Sequence, residues 1–498
     1  MKKSTKKLFQ TATLISALSI LERCFGFLYR IVLSQKLGEE LLGVYQIAGS
    51  VAAVFLTVGV GGLPVTLSRF IARFQAEKTP YKENAALSSA LLLSLLLTLF
   101  PTCLFLIFGE KLAVFLPDER SLSALKILLI GHSFGAVFEV FRGRMWGHKS
   151  FFTPTLLELL EEAVRVLLGI IFLYAKGAMP LIERVAWAMT LSYVFSCTLS
   201  LIFYLFEKSG TSKFASPMPL LKPVFASTLP ITASKVGSSL LSSVVAVLLP
   251  VLLMRAGMSN SDAMKAFGVL TGMVVPVLFI PATLIGSLAL ILSPQITEAY
   301  YKNDRRRLNE YVVRGLTAVT LLAGVLIPTL YVAAPEIGRV LFSSELAGKM
   351  IQKGSPILLP MSLAMLSTTV LNAIGKEKIS FRFYLFGALT MLSATLLLPN
   401  LFGASAYLIG LGGNFLVTSL CNLVYLKKEK ILKEQFFSKL LLVGASFLPA
   451  SLFAQLLQAL FTKFLPSFFA LIFTLFTALI LSILVLLLLI RPKKRREV

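Results

Sequence analysis

Apolar blocks of about twenty residues recur along this chain, among them LLLSLLLTLFPTCLFLIF (91–108) and SFFALIFTLFTALILSILVLLLLI (467–490). A helix of that length crosses the hydrocarbon core of a bilayer with every backbone polar group satisfied within the segment. Blocks this long, repeated this often, leave little else for the chain to become. Composition agrees: 56% of residues are hydrophobic, 14% are charged, and mean hydropathy is +0.84. A membrane β-barrel would need short alternating strands instead. The fold class expected is therefore an all-α polytopic membrane protein.

The net charge of +24 does not signal nucleic acid, because the basic residues sit between the apolar blocks, where they read as topology signals. Cys24, Cys103, Cys197 and Cys421 all fall inside apolar blocks, without disulfide or metal spacing. His132 and His148 are too far apart in the sequence for a metal site. No metal and no cofactor are expected. The basic start MKKSTKKLFQ runs into an apolar stretch that continues past Arg23 without a small-residue cleavage site, so it reads as a retained first helix.

Fourteen spans are expected, at 8–35, 41–73, 84–108, 121–147, 151–175, 180–206, 220–255, 262–299, 308–334, 351–375, 379–399, 403–426, 433–458 and 467–490. The second and eighth are long for one crossing. GVGGLP (59–64), with Gly59, Gly61, Gly62 and Pro64, and the segment with Pro276 and Pro281 are expected to bend or loosen them. Loops on the side of the termini carry 32 lysines and arginines, against 11 on the other side. That asymmetry makes both termini cytoplasmic. Arg23, Arg30, Lys126, Arg165 and Lys235 remain inside spans.

The chain also echoes itself. LGVYQIAGSV (42–51) matches FGVLTGMVVP (267–276), and LSRFIARF (67–74) matches LSPQITEA (292–299), both at an offset of 225. GEKLAVFL (109–116) matches PEIGRVLF (335–342) at 226, and RGRMWGHKSF (142–151) matches NAIGKEKISF (372–381) near 228–230. A repeat of six helices enters the membrane in one direction each time. The organisation expected is two parallel six-helix lobes, 1–208 and 209–430, followed by two C-terminal helices and a basic tail, 431–498. Transporters built this way hold substrate near mid-membrane and rock around it.

The charges within the spans are the candidate site. A charge at the centre of a bilayer helix costs at least about 2.5–3.5 kcal/mol, so it usually faces protein or water. In ERCFGFLYRIVL (22–33), Arg23 and Arg30 stand two turns apart on one face with Gly26 between them. They form a cationic stripe, unless Glu22 or another acid neutralises Arg23 and Arg30 snorkels to the headgroups. LLELLEEAVRVLLG (156–169) places Glu158, Glu161 or Glu162, and Arg165 on one helical face, as an ion-pair ladder or a proton relay. Glu139 could partner Arg165 or Arg23. Lys126 is expected to snorkel, and Lys235, in ITASKVGSSLLSS (231–243), is either a tethered cation or a second snorkelling lysine.

The opening of the chain resembles the stage V sporulation protein B group of polysaccharide-biosynthesis exporters. These belong to the multidrug/oligosaccharidyl-lipid/polysaccharide superfamily, alongside the lipid II flippase. The resemblance is carried by Arg23, Gly26, Phe27 and Arg30, by Gly38, Glu39 and Glu40, and by Gly62, Leu63, Pro64 and Ser68. It implies a monomeric flippase in the bacterial cytoplasmic membrane that moves an undecaprenyl-pyrophosphate-linked saccharide outward, with membrane lipids as its surroundings. Arg23, Arg30 and Arg165 would then meet the pyrophosphate, since arginine forms several charge-assisted hydrogen bonds to such groups. Rival readings are a multidrug/cation antiporter using Glu22, Glu139 or Glu158, an enzyme acting on lipid-linked sugars, and a non-transporting scaffold. The largest outer loop offers an enzyme little beyond Glu336 and Glu345, and Asp304 stands alone among basic residues.

Overall fold

The computed structural model describes residues 2–206, 215–432 and 465–490, with isolated stretches between 436 and 463. The described residues are helices and short turns. They group into two compact units, Met1–Val251 and Leu252–Val498.

The first unit opens with α1 (Lys2–Val60), two helical arms joined at Gly38, whose backbone lies at φ 73°, ψ 173°. That conformation is closed to residues with a Cβ, so the chain turns there and the first two crossings become separate. α2 (Leu63–Ala76) follows a two-residue break at Gly61 and Gly62 and carries Pro64 in its first turn, where the missing N–H costs nothing. Then come α3 (Pro80–Leu112), α4 (Arg120–Gly147), α5 (Phe152–Tyr174), α6 (Leu181–Phe206) and α7 (Met218–Arg255). The break between α1 and α2 is closed by α7: the Gly62 N–H donates to Thr232 Oγ1 at 2.9 Å. A Cβ on Gly62 would sit 2.6 Å from the Thr228 carbonyl oxygen. These glycines let two helices approach at the interruption, the usual use of small residues between membrane helices. Leu63, Leu67 and Ile71 of α2 pack with Ala86 and Leu87 of α3 and Val140 of α4 as the unit's core.

The second unit runs through α8 (Asn260–Gly268), a π-helical stretch Val269–Val274, and α9 (Val275–Tyr301). The interruption in the long eighth span is this π-helix, directly before Pro276; Pro281 sits inside α9, which stays helical around it. α10 (Arg305–Phe342), α11 (Glu345–Gly354), α12 (Leu358–Ala373), α13 (Glu377–Leu397), the short α14 (Pro399–Phe402), α15 (Ser405–Lys428) and α16 (Ser467–Ile490) complete it. Asp304, isolated among basic residues, caps α10 by accepting from the Arg307 N–H. Leu316, Leu366 and Leu426 centre this unit's core.

The internal repeat appears in the turns. α2 and α9 end with left-handed residues at Lys78 and Asn303, an offset of 225. α4 and α12 end the same way at Lys149 and Gly375, an offset of 226. In each case the next N–H reaches back five residues: Thr79 to the Phe74 carbonyl, Asp304 to Ala299, Ser150 to Met145 and Lys376 to Leu371. This is the Schellman closure. It places the α4–α5 junction at the offset of the other echoes, rather than at the slightly longer one suggested by its shared Ser-Phe.

Eleven helical segments among the described residues are long and apolar enough to cross a membrane. The first of these, Ala17–Ala76, contains both crossings on either side of Gly38. α5 falls outside the eleven because it carries three glutamates and an arginine, yet its 23 residues reach across the hydrocarbon. The thirteenth expected span, 433–458, lies mostly outside the described residues, as do the 208/209 boundary and the basic tail. The protein is a multi-pass helical membrane protein.

Candidate functional site

α4, α5 and α6 bring the buried charges of the first unit together. α5 presents Glu158, Glu161, Glu162 and Arg165 at one helical repeat, and α4 supplies Glu139 and Arg142. The Arg165 guanidinium donates to Glu161 and Glu162, both at 2.5 Å. Its Nε donates to Ser192 Oγ of α6 at 3.3 Å, and it lies over the Tyr193 ring, 5.4 Å from the centroid. Arg142 donates to Glu158 at 2.5 Å and also to Glu139, while its guanidinium stacks over Trp146 at 4.8 Å. Each arginine is thus held between two carboxylates and an aromatic ring.

These groups line a cavity of about 180 Å³, together with Glu22, Leu56, Gly135 and Phe138. At about 30 Å³ per water, it has room for a handful of waters or a small polar group. Five carboxylates and two arginines face it. Glu22 makes no ion pair among the described residues. Gly135 is a glycine for a reason of space, since a Cβ there would sit 3.1 Å from the Tyr193 ring. Gly26 serves α1 in the same way: a Cβ would stand 3.1 Å from Glu162 Oε1.

The sequence-predicted residues therefore divide. Glu22, Glu139, Glu158, Glu162 and Arg165 converge, with Gly26 against them. Glu139 pairs with Arg142, not with Arg165 or Arg23, because Arg142 is one turn along the same helix. Arg165 serves as the hub of an ion-pair ladder. Arg23 and Arg30 are exposed on α1 outside the cavity lining. Arg30 makes no ion pair among the described residues, whereas Arg165 and Arg142 each make two. Lys235 is exposed on α7, within electrostatic reach of Glu139. Lys126 pairs with Glu110 at 3.6 Å. Arg142 is the member that the sequence hides, because Arg144 and Lys149 follow it closely and the cluster resembles a loop.

Two further features bear on function. Outside the hydrocarbon, Arg120 ties Asp118 at 2.7 Å to Glu40 at 2.5 Å, fixing the arm beyond Gly38 to the head of α4. Burial acts to raise the Asp118 carboxyl, but hydrogen bonds from the Arg120 side chain and backbone, and its charge, hold it below the usual range. In the second unit, α9, α10 and α16 enclose a groove of about 430 Å³ lined by apolar residues such as Ile280, Pro281, Leu330 and Phe476, with Thr329 its one hydroxyl.

The profile of the family described as polysaccharide biosynthesis protein matches residues 8–257. Stage V sporulation protein B of Bacillus subtilis (strain 168) is 27% identical over 436 residues, covering 83% of each chain. Among solved structures, the lipid II flippase MurJ in an inward closed conformation has a TM-score of 0.71 at 15% identity, covering 96% of this chain and 98% of that one. An inward-facing multidrug resistance MATE family transporter of the MOP superfamily has a TM-score of 0.67 at 19% identity, covering 82% and 94%. Both structural likenesses are likenesses of fold.

Proposed function

The chain belongs to the polysaccharide biosynthesis protein family, and from that premise we propose that it is an alternating-access flippase. Its cargo is an undecaprenyl-pyrophosphate-linked saccharide for the cell envelope or spore, carried across the bacterial cytoplasmic membrane. Both termini are cytoplasmic, and the chain works as a monomer. The observation that carries this reading is Arg30: an exposed arginine within a membrane helix, without an ion pair among the described residues. A cation there is costly unless something anionic visits it, and a pyrophosphate is the anion that arginine's fork suits best. Arg23, on the same face, extends the stripe toward mid-membrane. Arg142 and Arg165, already held by glutamates, order the site and leave the anion to α1. Gly61, Gly62 and the π-helix before Pro276 are the bending points.

The test is flipping by purified protein in liposomes that contain a fluorescent undecaprenyl-pyrophosphate saccharide. Wild type exposes the head group, and Arg30→Ala slows exposure by about tenfold or more, the loss of one to two charge-assisted contacts. Equal rates would return Arg30 to snorkelling. The carboxylate excess in the cavity supports a second reading, exchange of an organic cation for protons at Glu22, Glu139 or Glu158. The same vesicles, loaded with a cationic dye and given a pH gradient, decide between them: dye efflux without head-group flipping selects the antiporter.

A further inference from the structure

A second cavity, part polar and part aromatic, lies away from the glutamate–arginine network at the junction of α4 and α5. It measures about 330 Å³, and its lining includes Arg144, His148, Ser150, Thr153, Phe203 and Phe206. The Arg144 side chain is only 11% exposed, and its guanidinium lies 4.8 Å above the Tyr204 ring centroid, which fixes its direction. Glu83 of α3 stands 3.9 Å from Arg144 and hydrogen-bonds His148 Nε2, yet does not line the cavity. Gln75 meets the other ring nitrogen of His148. The basic side chains are thus braced by groups outside the cavity.

Two more kinds of anion donor converge there. The hydroxyls of Ser150 and Thr153 lie 3.1 Å apart on the cavity wall. α5 also begins here, with Phe151 at its N-cap and no side chain capping the first turn. Ahead of Pro154, which has no N–H, the Phe152 and Thr153 amides add the positive end of a 23-residue helix. Arginine, paired hydroxyls and an uncapped helix start are the kinds of group that hold a phosphate.

The rim is of opposite character. Phe206 is 82% exposed and Phe203 50% exposed, and both belong to the cavity's edge. A soluble phosphate ester gains nothing from two bare phenyl rings at the end of a membrane helix. A lipid does, because its ester and chain lie against them while its phosphate reaches inward. We propose that this cavity seats the phosphate of an anionic glycerophospholipid at the membrane–water boundary, with the acyl chain along Phe203 and Phe206. The bound lipid joins the ends of α4, α5 and α6, independently of what the protein transports.

The experiment uses the full-length protein in detergent, with lipid adducts counted by native mass spectrometry. The probes are dioctanoyl phosphatidylglycerol, dioctanoyl phosphatidylcholine and free glycerol 3-phosphate. Phosphatidylglycerol is expected to bind about tenfold more tightly than phosphatidylcholine, with glycerol 3-phosphate failing to compete. That preference collapses toward one in Arg144→Gln and in Ser150→Ala/Thr153→Ala. The double variant removes only hydroxyls, so it gives the answer even where Arg144→Gln fails to fold. Equal affinity for the two lipids in wild type would overturn the proposal, as would an undiminished preference in the folded double variant. Competition by glycerol 3-phosphate would assign the cavity to a soluble phosphate and overturn the lipid.

Discussion

At the scale of single residues, the first unit separates arginines locked in ion pairs from Arg30, which makes none among the described residues. Arg142 holds Glu158 at 2.5 Å and Glu139 beside it, with all three side chains less than a quarter exposed. Removing it leaves two carboxylates facing each other in a poorly solvated cavity. Arg142→Met should therefore lower stability by about 3–5 kcal/mol, the usual result of breaking a buried pair from one side. Thermal unfolding in detergent measures this, and Glu158→Gln in the same background should recover part of the loss by removing one uncompensated charge. Arg30→Ala, with no ion pair to break, should unfold close to wild type. An Arg142 variant as stable as wild type would mean that water reaches these glutamates freely. Why Arg23, Arg30, Glu158, Glu162 and Arg165 were legible in the sequence is plain: each interrupts an apolar block, where a charge is an energetic outlier. Arg142 was not, because Arg144 and Lys149 follow it closely and the cluster resembles a loop. Pairing was less legible still. Periodicity gives the face of a helix, but not the neighbour that face will meet, and Glu139 found Arg142 on its own helix.

At the scale of elements, the interruptions matter more than the helices. Gly38 and the Gly61–Gly62 break look alike in sequence, as glycines near a span boundary, but they act through different physics. Around Gly38 nothing lies within 4 Å of where a Cβ would stand, and the residue is required only by its φ of 73°. Gly62 has an ordinary αR backbone and is required by the nearness of α7. Gly38→Ala should consequently cost about 1–3 kcal/mol of backbone strain, while a large side chain at 38 should cost little more than alanine, because space is open. At Gly62 the loss should grow with side-chain size, as contact with Thr228 and Ile231 worsens. Unfolding of an Ala, Val and Leu series at both positions checks this: a flat series at 38 and a falling one at 62 are expected. A falling series at 38 would show that the turn is packed in solution. The π-helix at Val269–Val274 belongs to the same class of interruption, yet the prolines pointed only to its neighbourhood. The residue that loosens a helix and the turn that yields need not coincide.

At the scale of the whole molecule, the chain is a doubled design with one copy specialised. The turns at Lys78 and Asn303, and at Lys149 and Gly375, repeat in conformation at offsets of 225 and 226. The acidic and basic side chains gathered within the membrane-spanning part do not repeat; the glutamate–arginine network belongs to the first unit. Backbone geometry is thus conserved between copies where the charge pattern is not, as expected if turns serve the fold and buried charges serve the cargo. The repeat also bears on topology. A six-helix unit returns the chain to its starting side, so equivalent turns of the two copies should face the same compartment. On the 32 to 11 distribution of lysine and arginine, that compartment is expected to be the cytoplasm. Single cysteines placed at Lys78, Lys149, Asn303 and Lys376, in a background with the four native cysteines replaced, should resist a membrane-impermeant maleimide in intact cells. They should react once the cells are opened. Cysteines at Lys176 and Lys349 should react in both states. Arg142 tightens this argument, since one of the loop cations is an ion-paired member of a membrane helix, and the bias must survive its removal from the count. If Lys78 and Asn303 labelled from opposite sides, the copies would be antiparallel and the even count of crossings between them would be wrong, whatever the charges say.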